Sequence, residues 1–443
     1  MSRTQTAGLK SSGELAAADQ PSSARPVSGS AYRWIIIGLL NLGMVIAYVS
    51  RTNLSVALTV RDVIRYFHLS DIDRGMLNSA FFWSYAALQI PAGWLIDRYG
   101  VKWPYAITFL FWSIASAGTA FVQTISQLAL LRVIIGAGEA AVAPASYKWI
   151  RLHFAEQERG LAVGLYMAGT KIGPAIGPVL AAPLIERYDW RLMFLILGLG
   201  GLVWLVPWLL FVKNDREPRA TRKQVEHPAE PAAPFGRLMG TPVFWGTLIA
   251  TFCYMYFVYF CMTWMPAYFV EQRHQSLSQM GWFIFFSFAG IAIVAVIGGW
   301  LADIIIRRGG NPITVRKWFT IAGFAIACTE LIGALSPSLN TAVVFSIISL
   351  SGLGLATANY WALTQTLFPA AAIGRITGAQ NCAASIAGIV APYLTGWLKD
   401  KTGGYAAPMN AVWVVLVIGV LAYVTMVREK YAFRSGTELA ADT

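Results

Sequence analysis

The segment Gly93-Trp-Leu-Ile-Asp97 occurs a second time as Gly299-Trp-Leu-Ala-Asp303, in the other half of the chain. Each copy ends a long apolar run and is followed by a basic loop, which contains Arg98 after the first copy and Arg307 after the second. A sequence that repeats in the same context predicts two structurally related halves. Because both copies follow apolar runs, we predict that each half is a bundle of transmembrane helices.

The composition supports a membrane protein. Hydrophobic residues make up 56% of the chain and charged residues 13%, whereas a soluble domain carries about 25% charge. The apolar residues occur in runs of roughly 20, which is the length that crosses a ~30 Å hydrocarbon layer as a helix. We therefore predict an all-α polytopic membrane protein whose main surroundings are the lipid bilayer.

Twelve spans fit the hydropathy, in two bundles of six. The predicted spans of the N-terminal bundle, residues 32–212, are 32–58, 74–97, 104–124, 126–150, 158–185 and 191–212. Those of the C-terminal bundle, residues 241–428, are 243–270, 278–303, 316–335, 340–366, 374–398 and 406–427. The charged, Pro-rich segment 213–240 is predicted to be a linker, and 1–31 and 429–443 to be cytoplasmic tails, the first of them disordered.

The net charge of +12 would suggest a nucleic-acid partner in a soluble protein. Here most of the 34 Lys and Arg residues fall in loops on the side of the N-terminus. That asymmetry follows the positive-inside rule, so we predict cytoplasmic termini, insertion in the inner (plasma) membrane and no nucleic-acid partner. We also expect a monomer.

No pattern in the chain indicates an enzyme or a cofactor. The four cysteines fall in apolar spans, without disulfide or zinc spacing, and the four histidines form no metal pair. We find no nucleophile–base pair and no phosphate-binding loop. The expectation is a non-enzyme without cofactor or bound metal.

Three motifs carry a resemblance to a known family. Gly93–Lys102 (GWLIDRYGVK) fits the loop signature G-x-x-x-D-R-x-G-x-[RK], and span four contains Arg132-x-x-x-Gly136-x-Gly138-Glu139. Span one ends in Tyr48-Val-Ser-Arg51-Thr-Asn53-Leu-Ser55-Val-Ala57, which looks like the motif D-R-x-N-x-S-V-A. Over about residues 32–428 the chain resembles the anion:cation symporter family of the major facilitator superfamily, whose members include galactonate, hexuronate, glucarate and phthalate permeases.

The resemblance implies a secondary transporter with two pseudo-symmetric six-helix bundles. The implied function is proton-coupled import of a small organic anion, a sugar acid or an aromatic carboxylate, by alternating access. One position departs from the family: Ser50 stands where an aspartate usually precedes the helix-one arginine. Any coupling role of that carboxylate is therefore absent or moved.

Four charged residues lie deep in predicted spans, where an ionised side chain costs at least ~2.5–3.5 kcal/mol and by default faces a protein interior or a water path. Arg51 is predicted to grip the substrate carboxylate beside Tyr48, with Arg132 and Lys171 adding positive charge. Glu139 is the candidate proton carrier, with Arg132 modulating it; the alternative is a permanent structural ion pair that holds helices together. Arg132 and Glu139 lie two turns apart, about 10.5 Å along one face, so each is predicted to find its partner elsewhere.

Neutral polar and aromatic side chains are the candidates for reading substrate hydroxyls. Together with Tyr48, the predicted set is Tyr85, Gln89, Tyr256, Tyr259, Asn359, Trp361, Gln365, Asn381 and Ser385. Ordinary helix packing explains each of them equally well. Lys171 likewise admits a structural alternative, pairing with a neighbouring carboxylate or with the carbonyls of its own helix.

The repeated motif is predicted to latch the cytoplasmic face between states. An aspartate at a helix C-terminus is disfavoured by the helix dipole, so Asp97 and Asp303 should be held by basic residues or by another helix's N-terminus. The predicted gating set is Gly93, Asp97, Arg98, Asp303 and Arg307. Glu330, near the outer end of span nine, is interpreted as a carboxylate that reaches toward the membrane surface.

Two other functions stay open at this point. The run Gly169-x-x-x-Gly173-Pro174-x-x-Gly177 is similar to a motif of proton antiporters that export drugs. Arg51 and Lys171 together argue against it, since many exported drugs are cations. A receptor that binds the same anion without transporting it is the second alternative.

Overall fold

The computed structural model describes residues 30–214, 235–369 and 372–428, and every regular element in these ranges is helical. The helices of the first half are α1 (Ser30–Ala57), α2 (Asp71–Tyr99), α3 (Lys102–Gly118), α4 (Ile125–His153), α5 (Glu156–Arg187) and α6 (Trp190–Phe211). Those of the second half are α7 (Pro242–Thr263), α8 (Leu277–Arg307), α9 (Pro312–Leu335), α10 (Leu339–Leu367), α11 (Ile373–Thr402) and α12 (Ala406–Thr425). The all-α prediction is confirmed.

Nine of these helices are long and apolar enough to cross a membrane. The other three are α3, which has 17 residues, and α2 and α11, which carry polar residues where the two halves meet. A helix that contacts another helix instead of lipid can carry more polar residues, which is why the hydropathy of α2 and α11 is low.

Two short helices were not predicted. Arg61–Phe67 lies between α1 and α2, and Phe235–Met239 precedes α7, inside the segment assigned to the linker. Most of that linker, and most of both predicted tails, lies outside the described residues.

Capping residues explain where several helices begin. The side chains of Ser70, Thr124 and Ser276 each accept a hydrogen bond from the backbone N–H of the residue three positions later. The side chain of that later residue in turn accepts a hydrogen bond from the backbone N–H of the capping residue. These capping boxes satisfy orphan donors at the first turns of α2, α4 and α8. All three caps lie on the same side of the membrane, which we call the far face; the side on which α1 begins is the terminal face.

Helices α4 and α10 are both interrupted near their middles. In α4 the break falls at Ala140 and Ala141, because Pro144 has no N–H to donate to the Ala140 carbonyl. In α10 it falls at Leu353, between two glycines. The two helices occupy equivalent positions in the two halves, so the break repeats as the sequence does.

The two bundles contact each other closely near the far face. A Cβ added to Gly75 of α2 would lie 2.6 Å from the Pro392 carbonyl oxygen of α11, and one on Gly396 would lie 2.3 Å from the Asp71 carbonyl oxygen. Only glycine permits backbones to approach this closely. The far half of the α2–α11 contact is therefore tightly closed.

Toward their terminal ends, the helices that face each other across the two bundles leave open space. Added Cβ atoms on Gly93 of α2, Gly164 of α5 and Gly378 of α11 would meet no described heavy atom within 4 Å. In this conformation the space between the bundles is therefore closed toward the far face and open toward the terminal face.

Candidate functional site

A buried ion pair lies at the centre of the N-terminal bundle. The Arg51 Nε donates to Glu139 Oε2 at 2.7 Å. Arg51 is 7% exposed and Glu139 is fully buried. Glu139 is the last residue before the break in α4, and Arg51 lies one and a half turns before the end of α1.

Three aromatic rings surround the guanidinium of Arg51. Its central carbon lies 4.4 Å from the ring centroid of Tyr48, 4.7 Å from that of Phe81 and 4.8 Å from that of Tyr85. Such rings stabilise a cation while leaving its other N–H groups free for an anion. The structure thus places Tyr48 at Arg51, as predicted, and also brings Tyr85 and Phe81 to the same guanidinium.

Close helix packing brings α2 against α4 at this point. A Cβ on Gly136 would lie 2.1 Å from the Phe81 carbonyl oxygen, and one on Gly138 would lie 2.7 Å from Trp112 Cβ. The glycines of the Gly136-x-Gly138-Glu139 sequence therefore permit the contacts that deliver Glu139 and Phe81 to Arg51.

Arg132 lies beside the pair without joining it. It is 2% exposed, its guanidinium carbon lies 5.7 Å from the Phe81 ring centroid, and its Nε has no hydrogen-bond partner. Among the described residues no carboxylate forms an ion pair with Arg132. Arg132 and Glu139 do not pair directly, as predicted from their spacing, but only Glu139 has the separate partner that was predicted for each, and none is found for Arg132 among the described residues.

Lys171 reaches from α5 across to the C-terminal bundle. Its Nζ donates to the Tyr254 hydroxyl at 3.2 Å, and that hydroxyl is hydrogen-bonded to Thr357 Oγ1 at 2.7 Å. The structural alternative of a carboxylate partner is not found in the described part of the chain. With Glu139 neutralised by Arg51, Arg132 and Lys171 leave the site with an excess of positive charge.

The polar residues predicted in the second half divide into two groups. Tyr259 packs its ring 4.5 Å from that of Phe82, whose own ring lies 6.4 Å from that of Tyr85, so it borders the aromatic surroundings of Arg51. Asn381 of α11 donates to Gln89 of α2 and joins the two bundles there.

The other predicted side chains lie elsewhere. Asn359 donates to the backbone carbonyl of Leu355 and Ser385 to that of Asn381, which are contacts of helix packing. Tyr256, Trp361 and Gln365 make no described contact with Arg51 or Lys171, and Gln365 is exposed. The structure therefore does not assemble these five residues into the central site.

Sequence reasoning missed the partner of Lys171 and a neighbouring polar cluster. Gln380 Nε2 donates to Thr251 Oγ1 at 3.2 Å and to Thr364 Oγ1 at 3.0 Å. Thr247, Thr251 and Tyr254 recur at helical spacing on α7, so a polar stripe was the available signal.

The glycines of the antiporter-like run pack α5 on α1. A Cβ on Gly169 would lie 2.9 Å from the Asn41 carbonyl oxygen, one on Gly173 2.4 Å from Tyr48 Cβ, and one on Gly177 2.2 Å from Thr52 Oγ1. Close helix approach therefore accounts for the motif.

The far face is closed by an ion-pair network between the bundles, which we call the far-face latch. Arg74 of α2 pairs with Asp71 at 2.7 Å and with Glu271 at 2.6 Å. Lys399 of α11 pairs with Asp71 at 2.7 Å and with Glu271 at 3.0 Å, and Tyr405 donates to Glu271 at 2.9 Å. Nothing in the sequence indicated this latch, since isolated charges at helix ends look like ordinary solvated loop residues.

A hydrogen bond to a carbonyl that a proline leaves without its helical donor also helps to close the far face. Pro266 has no N–H for the Met262 carbonyl, and Ser55 of α1 donates to that oxygen at 2.8 Å. A cavity of about 830 Å³ is lined by latch residues Asp71, Arg74 and Lys399 and lies at the far face, separate from Arg51.

Comparison with known proteins identifies the family. The model of the Major Facilitator Superfamily matches residues 40–392. The chain belongs to this superfamily.

Curated relatives of this major facilitator are named as anion transporters. It is 29% identical over 403 residues to the probable sulfoacetate transporter SauU of Cupriavidus necator, covering 88% of this chain and 93% of that one. Identity to the D-galactonate transporter of Escherichia coli O6:H1 is 27% over 415 residues, with 89% and 95% covered. Identity to the hexuronate transporter of Bacillus subtilis is 28% over 420 residues, with 91% and 96% covered. The superfamily and the transporter names of these relatives indicate a transporter and not an enzyme.

Solved structures confirm the major facilitator fold. A bacterial homolog of the human lysosomal transporter Spinster, in an inward-facing and unoccupied conformation, superposes with a TM-score of 0.76 at 20% identity. The match covers 92% of this chain and all of that one.

The two copies of the repeated motif each form an ion pair within their own bundle. Asp97 pairs with Lys148 at 3.1 Å, and Asp303 pairs with Arg316 at 2.9 Å. Both aspartates are thus held by basic residues, as predicted from the helix dipole. Arg98 instead lies over the rings of Trp94 and Tyr99, and Arg307 donates to its own helix.

We expect Asp97→Asn to change the transport rate and to leave anion binding intact. The substitution weakens a contact at the terminal face, far from Arg51, so it alters interconversion between states and not the binding site. Initial uptake rates and equilibrium binding of the same anion test this. An equal loss of binding would contradict a latch role.

The latch is expected to weaken at low pH. Burial raises the pKa of the Glu271 carboxyl, but Arg74 and Lys399 outweigh it, and the pKa is held below its ordinary value. Because the pKa of Glu271 is lower in the closed state, its ion pairs stabilise closure fully at any pH above the ordinary pKa of a glutamate. That stabilisation is lost as the pH falls through the lowered pKa of Glu271. Spin-label distances across the far face should therefore lengthen as the pH falls into the acid range, and Glu271→Gln should remove that acid-side step.

The structure shows that the interpretation of Glu330 as a carboxylate that reaches toward the membrane surface is wrong. Glu330 is 2% exposed and accepts hydrogen bonds from Ser346 at 3.0 Å and from Ser349. Helix α9 is also interrupted, between Ala327 and Glu330, and the carboxyl at the start of its last segment faces α10.

Proposed function

We propose that this major facilitator is a proton-coupled symporter that imports an organic anion, a sugar acid or an aromatic carboxylate, by alternating access. The observation that carries the proposal is the Arg51–Glu139 pair, buried within a ring of aromatic side chains between bundles that are open on one side. A planar guanidinium can exchange a protein carboxylate for a substrate carboxylate with similar geometry.

The charge of the site supports an anionic substrate. Arg132 and Lys171 have no carboxylate partner among the described residues, so the site lacks negative charge that a bound anion would supply. Relatives named for galactonate, hexuronate and sulfoacetate are consistent with this chemistry.

Proton coupling is proposed to follow from competition for Arg51. When the substrate carboxylate takes over the guanidinium, Glu139 loses its counter-charge in a buried setting, where a neutral carboxylic acid is favoured. Ser50 offers no second carboxyl here, and its hydroxyl lies 3.5 Å from that of Ser116. Glu139 is therefore the proposed coupling carboxyl of the N-terminal bundle.

Alternating access is proposed to exchange the far-face latch for closure at the terminal face. The latch must break for the bundles to part at the far face, and the motif pairs at Asp97 and Asp303 lie where closure at the terminal face would occur. From the distribution of Lys and Arg we propose that the terminal face is cytoplasmic, in the inner membrane, and that the protein works as a monomer.

Uptake into liposomes tests the proposed function. The protein is reconstituted, a trapped dye records internal pH, and sugar acids, aromatic acids and dicarboxylates are added outside. Acidification with one class, absent in Arg51→Gln liposomes, is the expected result. Proton movement with cationic drugs and none with acids would overturn the proposal in favour of efflux. Saturable binding without flux would favour a receptor.

We expect Lys171→Met to weaken the binding of substrates that carry a second anionic group. A lost charge-assisted hydrogen bond is worth about 1.5–3 kcal/mol, so the affinity for a dicarboxylate should fall roughly tenfold or more. Monocarboxylates held by Arg51 should change little. Competition assays with matched mono- and dicarboxylates measure this, with Tyr254→Phe as the control that keeps the charge. Equal losses for both classes would contradict this role.

A further inference from the structure

Among the described residues, two carboxyls are buried below a tenth of their surface in the membrane-spanning helices, Glu139 and Glu330. Glu139 has the guanidinium of Arg51 beside it. Glu330 has no Lys, Arg or His side chain in ion-pair contact, and its described partners are the two serine hydroxyls of α10. A buried charge without a counter-charge is strongly disfavoured. Burial without a cation therefore favours the neutral acid.

The titratable groups that face Glu330 from neighbouring elements are Cys261 of α7 and Tyr268 of the π-helical turn Tyr268–Gln272. Helix α10 presents no titratable side chain to it in Leu339–Gly352. Neither the thiol nor the phenol can supply positive charge. The nearby cation Arg273 directs its described hydrogen bonds to the Tyr268 hydroxyl and to backbone carbonyls at the end of α9.

The hydrogen count supports a bound proton. The Ser349 hydroxyl has one hydrogen but two acceptors in reach, Glu330 Oε2 and the Ser346 carbonyl at 3.1 Å. If Glu330 carries a proton on Oε2, that O–H donates to Ser349 Oγ, and Ser349 donates to the Ser346 carbonyl. Ser346 Oγ then donates to Glu330 Oε1. In this arrangement the acid hydrogen of Glu330 and the hydroxyl hydrogens of Ser349 and Ser346 each have one acceptor of their own.

We propose that Glu330 is a second proton-binding site, occupied in this conformation. The site lies on the six-residue helix Glu330–Leu335, whose terminal carbonyls Arg273 holds at 3.0 Å (Gly333) and 3.2 Å (Ala334). Arg273 directly follows the turn that carries Glu271 of the latch. Protonation of Glu330 therefore favours the closed far face through a continuous chain of contacts.

Infrared difference spectroscopy of the full chain in liposomes tests the bound proton directly. Wild type minus Glu330→Gln, at neutral pH, should show the C=O stretch of a protonated carboxylic acid. Glu139→Gln should retain that band, and Ser349→Ala should shift it, since it keeps the carboxyl and removes one partner. A carboxylate band at neutral pH, assigned to Glu330 by its loss in the Gln variant, would overturn the proposal.

A conformational measurement tests the link to the latch. Spin labels at Arg65 and Lys401, both exposed at the far face, report the separation of the bundles after the native cysteines are replaced. Alkaline pH should populate the longer distance at least severalfold more in wild type than in Glu330→Gln. Identical pH responses in the two proteins would refute the link.

These readouts do not require a substrate. The role of Glu330 in transport rests on the proposed proton coupling, but proton binding at Glu330 does not. A failed uptake assay together with an intact infrared band would therefore overturn the proposed function and leave the proton site in place.

Discussion

Substitution of Arg51 by glutamine is expected to abolish anion-dependent acidification and to weaken anion binding by at least about a hundredfold. The substitution removes the proposed ligand of the substrate carboxylate and leaves Glu139 buried without its partner. Loss of one member of a buried pair costs about 3–5 kcal/mol, and each ~1.4 kcal/mol is a factor of ten. Glutamine is shorter than arginine but is also unbranched and polar, so the aromatic rings retain a side chain to pack against.

The matched control is Arg33→Gln. Arg33 lies on the same helix, is 7% exposed and pairs with Glu158 at 2.8 Å, but at the terminal end of α1. It should lower stability while leaving anion binding within about twofold, an effect well below the ~1.4 kcal/mol of a tenfold change.

Arg51→Lys separates charge from geometry. Lysine keeps a cation but loses the planar fork that binds a carboxylate with two hydrogen bonds, so we expect an intermediate affinity. Isothermal titration and dye-reported flux measure these effects. Wild-type affinity in Arg51→Gln, with a normally folded protein, would eliminate Arg51 as the anion ligand.

Substitution of Arg74 by glutamine is expected to open the far face. Arg74 is 4% exposed and connects Asp71 of its own helix to Glu271 of the other bundle. Without it, two carboxylates face each other with Lys399 as their remaining ion-pair partner in the described part of the chain. Truncating one member of such a pair at an interface costs about 2 kcal/mol or more, which should raise the far-face-open population roughly thirtyfold.

The control for this prediction is Arg191→Gln. Arg191 is on the same face and pairs with Asp189 at 3.9 Å, but both residues belong to the N-terminal bundle and are exposed. Spin-label distances between positions 65 and 401 should lengthen in Arg74→Gln and stay unchanged in Arg191→Gln. Uptake should slow in the first variant because closure becomes unfavourable. Unchanged distances in both would mean that the glycine contacts alone hold the far face shut.

Sequence reasoning recovered the features that depend on local pattern. Apolar runs and the repeated motif predicted the helices and the two halves, since backbone groups in a bilayer must be satisfied within helices. The cost of burying charge singled out Arg51, Arg132, Glu139 and Lys171, and all four lie in the protein interior or at the bundle interface. Tyr48, Tyr85 and Tyr259 also reach the neighbourhood of Arg51.

The polar residues of the second half show where pattern reasoning stops. Tyr254 and Tyr256 are two positions apart on α7, so they point to different sides, and only the packing of α5 decided that Lys171 meets Tyr254. Asn359 and Ser385 look equally suited to a binding site, yet their hydrogen bonds go to nearby backbone carbonyls.

The sequence by itself determined the all-helical membrane fold, its internal repeat and the intramembrane charges, because desolvation penalises unsatisfied backbone and unpaired charge wherever the chain goes. Tertiary structure alone decided which charges meet. Asp71 and Lys399 are 328 positions apart, in opposite halves of the sequence, and pair only because α2 packs on α11. Glu330, beside the interruption of α9, faces two serines of α10. Such pairings depend on the relative placement of helices, which a linear pattern does not encode.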